Sequence, residues 1–315
     1  MMHQTADDSL PSAVCVSQGI ELFTFLWYAD CKKEIRCMEN MKQKKRLLLF
    51  LAAAVLLLSL WIAWGNTALQ LTTVTVSSAA LPQDAAGLKI AHISDLHNAE
   101  FGKHNENLLA LLVQAQPDLI AITGDLVDSR RTDLQTALDF AAAAVEIAPC
   151  FYVPGNHESR ISAYPQLRAG LEAAGVTVLE NAAVSFESLT LLGALDPAFF
   201  QDSRTDAQIL EQALSRLNTD GFTVLLSHRP ELFSVYAASG VELSLSGHAH
   251  GGQVRLPLLG GVIAPHQGFF PTYDAGLYTD DDAAMVVSRG LGNSLFPFRV
   301  NNRPEVVLVQ LQPDF

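Results

Sequence analysis

Hydrophobic and polar positions fall into three regimes along this chain. Residues 1–40 mix the two without a clear period, and Pro11 and Gly19 are their only Pro or Gly. From Leu47 to Trp64 every position except Ser59 is apolar, and Lys42, Lys44, Lys45 and Arg46 stand just before the run. At about 1.5 Å per residue such a helix spans roughly 27 Å, close to the ~30 Å hydrocarbon thickness of a bilayer. It has no polar face, as a core helix of a soluble protein would, and Trp61 and Trp64 end it where aromatic rings favour an interface. Beyond Gly65, short apolar runs alternate with amphipathic stretches, as in a folded domain.

In that third regime LTTVTVSS predicts an edge strand, followed by a turn at Pro82. LKIAHI predicts the next strand. Asn105–Gln114 reads as a helix with Leu108, Leu109, Leu111 and Leu112 inward. Asp118–Thr123 is continuously apolar after its first residue, which suits a strand covered on both faces. Thr132–Ile147 is an alanine-rich helix capped by Thr132 or Asp133. Cys150–Val153 is a strand and Tyr164–Ala174 a helix. VTVLEN, AVSFES and LTLLGAL predict antiparallel strands; helices over Asp206–Leu217 and Pro230–Ala238 alternate with strands over Phe222–Leu226 and Val241–Leu245. The tail from Gly252 is rich in Gly and Pro, with MVVSR and EVVLVQL as strand-like pieces. The order suits an α/β fold: a two-layer β-sandwich flanked by helices and preceded by one transmembrane helix. The expected organisation is an N-terminal cytoplasmic segment at 1–46, the anchor at 47–64, a connector and edge strand at 65–87, and the main domain at 88–315.

Charge sharpens this division. Residues 1–46 carry seven Lys/Arg and six Asp/Glu; of the chain's 20 and 33, this leaves 13 against 27 beyond, a net of −14. So acidic a domain repels polyanions, and no nucleic-acid partner is expected. Phosphate chemistry would then need bound cations to reverse the local sign. The basic cluster before the anchor places the domain outside the cytoplasm, at the cell membrane in single-pass topology. A cleaved signal peptide is the rival; its apolar region is shorter and ends at a small-x-small site, whereas this run ends in tryptophan. Met41 opens a complete-looking anchor sequence and is the expected start in place of Met1. Of Cys15, Cys31, Cys37 and Cys150, the first three precede the anchor, and Cys150 is expected to pack as a small hydrophobe.

Chemistry gathers at strand ends. Asp95 and His97 follow the first strand of the domain, and in extended chain residues i and i+2 point to one side. Asp125 and Asp128 lie in GDLVD, Asn156 and His157 in GNHE, His228 in SHRP, and His248 and His250 in GHAHGG. Loops at the carboxyl ends of strands share one edge of an α/β sheet, where ligands bind. A lone His after a strand is usually just a hydrogen-bonded residue, but five such clusters beside glycines point to a common site. Outside them, His92 reads as a packing residue and His104 as solvated. His266 reads as lining the site mouth or making a loop hydrogen bond.

The series D-x-H, G-D-x-x-D, G-N-H-E, H, G-H-x-H over about Lys89–Gln253 resembles the calcineurin-like metallophosphoesterases, in particular their membrane-anchored bacterial branch. The tail VSRGLGNSLFPFRVNNRPEVVLVQL adds to the likeness. The resemblance implies two divalent metals, one held by Asp95, His97, Asp125 and His250, the other by Asp125, Asn156, His228 and His248. Mixed carboxylate, amide and imidazole donors suit Mn, Fe or Zn better than Ca. It further implies attack on a phosphoester or pyrophosphate by a hydroxide bridging the metals, with His157 assisting the leaving group and Asp128 orienting His157. Arg229, Arg289 and Arg299 are candidate phosphate contacts. An anchor would hold the site near a bilayer, so a lipid-linked phosphoester is the expected substrate. The alternatives are a membrane-tethered metal-binding scaffold without turnover, or a nuclease of the same superfamily. Mono- or diester preference, metal identity and oligomeric state are open at this level.

Overall fold

A computed structural model describes residues 12–201, 203–217 and 220–314, with side chains from Thr24 onward. The Met1 start and the Cys15 side chain considered above lie outside the described residues. The chain divides into two units, Met1–Trp61 and Ile62–Phe315.

Helix α1 (Ser12–Thr67) starts well before the apolar run. Residues 12–40, which showed no period, are helical. Helix hydrogen bonds are local, so a stretch without an inward stripe can still be helical when no core selects a face. Thr24–Thr67 is long and apolar enough to cross a membrane, and its most apolar window is unburied; a signal sequence would meet the same description.

The second unit contains two six-stranded sheets. In chain order the strands are β1 (Gln70–Ser78), β2 (Lys89–Ile93), β3 (Leu119–Thr123), β4 (Cys150–Val153), β5 (Thr177–Val178), β6 (Ala182–Phe186), β7 (Leu189–Gly193), β8 (Phe222–Leu226) and β9 (Leu243–Ser246). Two short hairpins follow, β10 (Arg255–Leu256) with β11 (Gly260–Gly261), and β12 (Ile263–Ala264) with β13 (Gly268–Phe269). The last strands are β14 (Gly276–Asp280), β15 (Ala283–Val287) and β16 (Glu305–Pro313). The first sheet runs β1-β16-β2-β3-β4-β5, and the second β14-β15-β9-β8-β7-β6.

Two expectations change here. VTVLEN does not pair with AVSFES: its Thr177–Val178 extends the first sheet parallel to β4, while β6 and β7 pair antiparallel in the second and β7 runs parallel to β8. The tail strand β16 is inserted between β1 and β2, parallel to one and antiparallel to the other. Sequence neighbours need not pair when a crossover carries the chain to the other layer.

The layers follow from strand alternation. Ile90, Leu119, Ala121 and Val153 face Leu191, Val224, Leu226 and Leu245 across the sandwich. Ala91, Ile93, Ile120 and Ile122 face helices α2 (Glu106–Ala115), α3 (Leu134–Ala144) and α4 (Tyr164–Ala173) on the outer side. Leu192 and Leu225 face α5 (Asp206–Leu214) and α6 (Phe233–Ala238) on the other. Burial on both faces is why the β3 stretch reads as a continuous apolar run. Asp133 caps α3, accepting from the backbone N–H of Gln135 and Thr136. In α2, Leu108 and Leu112 are fully buried, while Leu109 and Leu111 are only partly covered.

Candidate metal centre

All five predicted clusters meet, and both sheets supply them. Parallel β2, β3 and β4 deliver Asp95/His97, Asp125/Asp128 and Asn156/His157 from the first sheet. Parallel β8 and β9 deliver His228 and His248/His250 from the second. The site therefore closes over the end of the sandwich rather than along one sheet's edge.

Asp95, His97 and His250 form one group of mutually close ligand atoms, and Asp125, His228 and His248 another. Asp95 Oδ1 lies 3.4 Å from His250 Nε2 and 3.7 Å from His97 Nε2. Asp125 Oδ2 lies 3.6 Å from His97 Nε2 and 3.3 Å from His228 Nε2, so it faces both groups. His248 turns Nδ1 to His228 Nε2 at 3.1 Å. His228 Nδ1 donates to the Thr123 carbonyl at 2.7 Å, which leaves Nε2 as its free lone pair.

The local backbone is shaped for this. Asp95, His97, Asp125, His248 and His250 all have φ between 47° and 63°. Left-handed backbone at non-glycine residues costs about 1–3 kcal/mol each and persists where surrounding structure fixes it. Close approach requires glycine at 155, where a Cβ would lie 2.3 Å from Asp125 Oδ1. Glu158, fully buried, accepts from the backbone N–H of Asp125 (2.9 Å), Gly155 (2.8 Å) and Val127 (3.2 Å). It thereby ties the β3 loop to the β4 loop.

Electrostatics point to bound cations. Burial alone would push both carboxylates up; facing imidazoles instead hold Asp95 and Asp125 well below the usual range. Burial opposes charge on His228 as well, yet Asp125 and Asp95 push it up to about 10, and His97 is raised in the same way. Burial depresses His250 to about 3 and lowers His248. The pocket thus draws positive charge into its centre. Asp95 Oδ1 and Asn156 Oδ1 are buried acceptors without a hydrogen-bond partner, which divalent cations would satisfy. The residues present fit two metals: the two groups, joined through Asp125, make a dinuclear metal-binding centre.

His157 stands beside the centre, its ring edge-on to His97 at 4.6 Å. Its Nδ1 accepts from the Ser129 N–H at 3.0 Å, so the neutral ring carries its proton on Nε2, which meets Ser294 Oγ at 3.0 Å. Asp128 Oδ1 lies 3.6 Å from His157 Nδ1, beyond a hydrogen bond, and accepts from the Arg130 N–H instead. Asp128 therefore does not pair with His157 directly; Ser129, the next residue, supplies the partner of Nδ1.

The three arginines expected to contact phosphate are each engaged within the protein. Arg229 is buried in a bidentate pair with Asp196, at 2.7 and 2.9 Å. Arg299 is buried too and donates to the carbonyls of Arg289 (2.7 Å) and Gly292 (2.6 Å). Arg289 turns toward Glu305 at 3.6 Å. None of the three lines the pocket of about 370 Å³ that opens over Asp125, Asn156, His157, His248 and His250; Arg160 does, together with His266 and Ser294. Arg160 lies two residues past the end of the GNHE block, and that position was its only sequence signal. Glu231 was also missed: with His248 and His266 it forms a further close group at the mouth. His92, buried, bonds Thr123 Oγ1 at 2.8 Å, and His104 is exposed, both as expected.

A four-layered sandwich whose strand ends gather two acidic, histidine-rich groups around one shared carboxylate defines a dinuclear metallohydrolase. The calcineurin-like phosphoesterase profile matches residues 88–252, and the chain belongs to that family. It is 30% identical to the uncharacterised metallophosphoesterase YkuE of Bacillus subtilis over 252 residues, 78% of this chain and 86% of the relative. It is 32% identical to the phosphodiesterase YaeI of Escherichia coli over 237 residues, 72% of this chain and 83% of that protein. A transmembrane protein with a metallophosphoesterase domain from Bos taurus is 30% identical over 258 residues, covering 76% and 56% of the two chains.

Proposed function

We propose that this protein hydrolyses a phosphodiester at the outer face of a membrane that α1 anchors, and that its natural substrate is lipid-linked. One observation carries the hydrolysis: Asp125, a member of one buried ligand group, also faces His97 of the other at the floor of an open pocket. Diester preference is carried over from the name of YaeI, and membrane attachment is supported by the apolar helix and by the bovine relative's name.

Asp95, His97, Asp125 and His250 would hold one divalent ion, and Asp125, Asn156, His228 and His248 the other. Bound there, the pair supplies Lewis acidity to a phosphoryl oxygen and lowers the pKa of water. The chain's residues do the rest. Glu158 fixes the spacing of the two loops that carry Asp125 and Asn156. His157 presents its Nε2 N–H beside the pocket, where it can hydrogen-bond a leaving-group oxygen and stabilise the charge that develops on it. Arg160, on the pocket wall, is the cation placed to meet a phosphate oxygen.

The test is a screen of Mn, Fe and Zn against aryl phosphodiesters, aryl phosphomonoesters and pyrophosphate, with Asp125→Asn as control. Metal-dependent turnover that Asp125→Asn abolishes is expected. A fully loaded wild type inert toward every substrate would leave only a metal-binding scaffold.

A further inference from the structure

The pocket's remaining walls are apolar, and they continue outward into an exposed rim. Ile263, Pro265, Leu295 and Phe296 line the pocket beside the metal-binding groups. On either side of the pocket-lining 263–266 segment the chain carries Leu258 (106% exposed) and Leu259 (66%) in the β10–β11 turn, and Phe269 (73%) and Phe270 (60%) at the end of the second hairpin. Large apolar side chains grouped in this way on a folded domain mark a binding surface.

Hydrogen bonds join these pieces. The Phe270 N–H donates to the Val262 carbonyl at 2.8 Å, and the Arg255 N–H to the Val300 carbonyl at 3.0 Å. Gln253 Nε2 donates to the carbonyls of Phe296 and Phe298 at 3.3 and 3.0 Å. The same 293–303 segment grips the last turn of α1. Asn66 Oδ1 accepts from the Arg299 N–H at 2.7 Å and from Asn293 Nδ2 at 3.1 Å, and Arg303 lies over the Trp64 ring at 5.0 Å. Trp64, where an anchor would leave the bilayer, is therefore held against the loop that carries Leu295 and Phe296.

Charge agrees with geometry. Residues 251–273 and 283–304 contain no Asp or Glu, although 27 acidic residues lie beyond residue 46. Asp274, held against the first hairpin, is paired with Arg255 at 3.0 Å, so these segments repel an anionic bilayer less than the rest of an acidic domain.

We infer that the two hairpins and the 293–300 loop form a bilayer-docking rim. Through it the site takes the phosphodiester headgroup of an amphiphile whose acyl chains stay against the apolar wall and in the membrane. This rests on the reading of the chain as an anchored phosphodiesterase.

The experiment uses the full chain, loaded with Mn, in nanodiscs of phosphatidylcholine with a minor fraction of phosphatidylglycerol. Two chromogenic substrates are compared: water-soluble bis(p-nitrophenyl) phosphate and a bilayer-resident diacylglycerol p-nitrophenyl phosphodiester. The paired substitutions Leu258→Ser/Leu259→Ser and Phe269→Ser/Phe270→Ser are expected to lower kcat/KM on the bilayer substrate about tenfold or more. Turnover of the soluble substrate, which also reports folding, should stay at the wild-type level. An unchanged ratio between the substrates overturns the rim while leaving the phosphodiesterase standing, and so does an equal fall on both. Should wild type cleave neither, the phosphodiesterase reading fails and docking is read separately. A spin label at Leu258→Cys, in a background without Cys15, Cys31 and Cys37, should show lipid-depth oxygen accessibility; a water-exposed label would refute docking.

Discussion

Asp196→Asn tests whether Arg229 braces the fold or meets substrate. Arg229 and Asp196 have side chains 4% and 0% exposed, and two parallel N–H···O bonds join them. Asp196 also accepts from the Ala198 N–H at 2.8 Å. Asparagine keeps the shape but places an amide N–H₂ against a guanidinium and leaves a buried cation short of its counter-charge. Breaking one side of a buried pair costs about 3–5 kcal/mol. Glu231 and Asp206, at 3.5 and 3.6 Å from Arg229 Nη1, take up part of that charge, which favours the lower end, about 3 kcal/mol. For a unit of this size that corresponds to a Tm lower by about 6–12 °C. Thermal unfolding of the metal-loaded protein in detergent measures it. Because the pair is buried, the shift should change little with salt. Replacing both partners with apolar residues (Arg229→Met/Asp196→Leu) should recover much of the loss. KM for a soluble phosphodiester, measured well below Tm, should match wild type. An unchanged Tm together with a KM raised tenfold would refute the argument and return Arg229 to the substrate.

Three further outcomes follow from the same geometry. His157→Ala should lower kcat by about 10²–10⁴ while metal content, measured by elemental analysis, stays that of wild type; loss of metal would make His157 a ligand instead. Burial depresses His92 to about 3, so it is neutral in the fold, and protonation of the unfolded chain near pH 6.5 removes stability as pH falls. By pH 5 that loss is about 2 kcal/mol, and His92→Leu should lack it when melts at pH 7 and pH 5 are compared. Burial pushes the Cys150 thiol up to about 12, so it should resist thiol reagents at pH 8 until the protein unfolds, while exposed Cys37 reacts at once; equal reaction rates would contradict its packing.

The element types and the strand-end clusters could be read from the chain because both are local properties. An unbroken apolar run such as Leu119–Thr123 has to be covered on both faces, and β3 is. Ligand types placed just after strands mark a strand-end site, and all seven expected ligands meet there. What the sequence left undetermined depends on partners distant along the chain. The arginines show this most clearly: a guanidinium beside a histidine motif reads the same whether its carboxylate comes from substrate or from Asp196, 33 residues away. Nor does any local pattern place β16 between β1 and β2, or divide the ligand loops between two sheets. Periodicity fixes which face of a strand is apolar; only the packing of the layers decides what that face meets. The rim belongs to this second kind: Leu258 and Phe269 are ordinary residues of a Gly- and Pro-rich tail until folding leaves them uncovered beside the site.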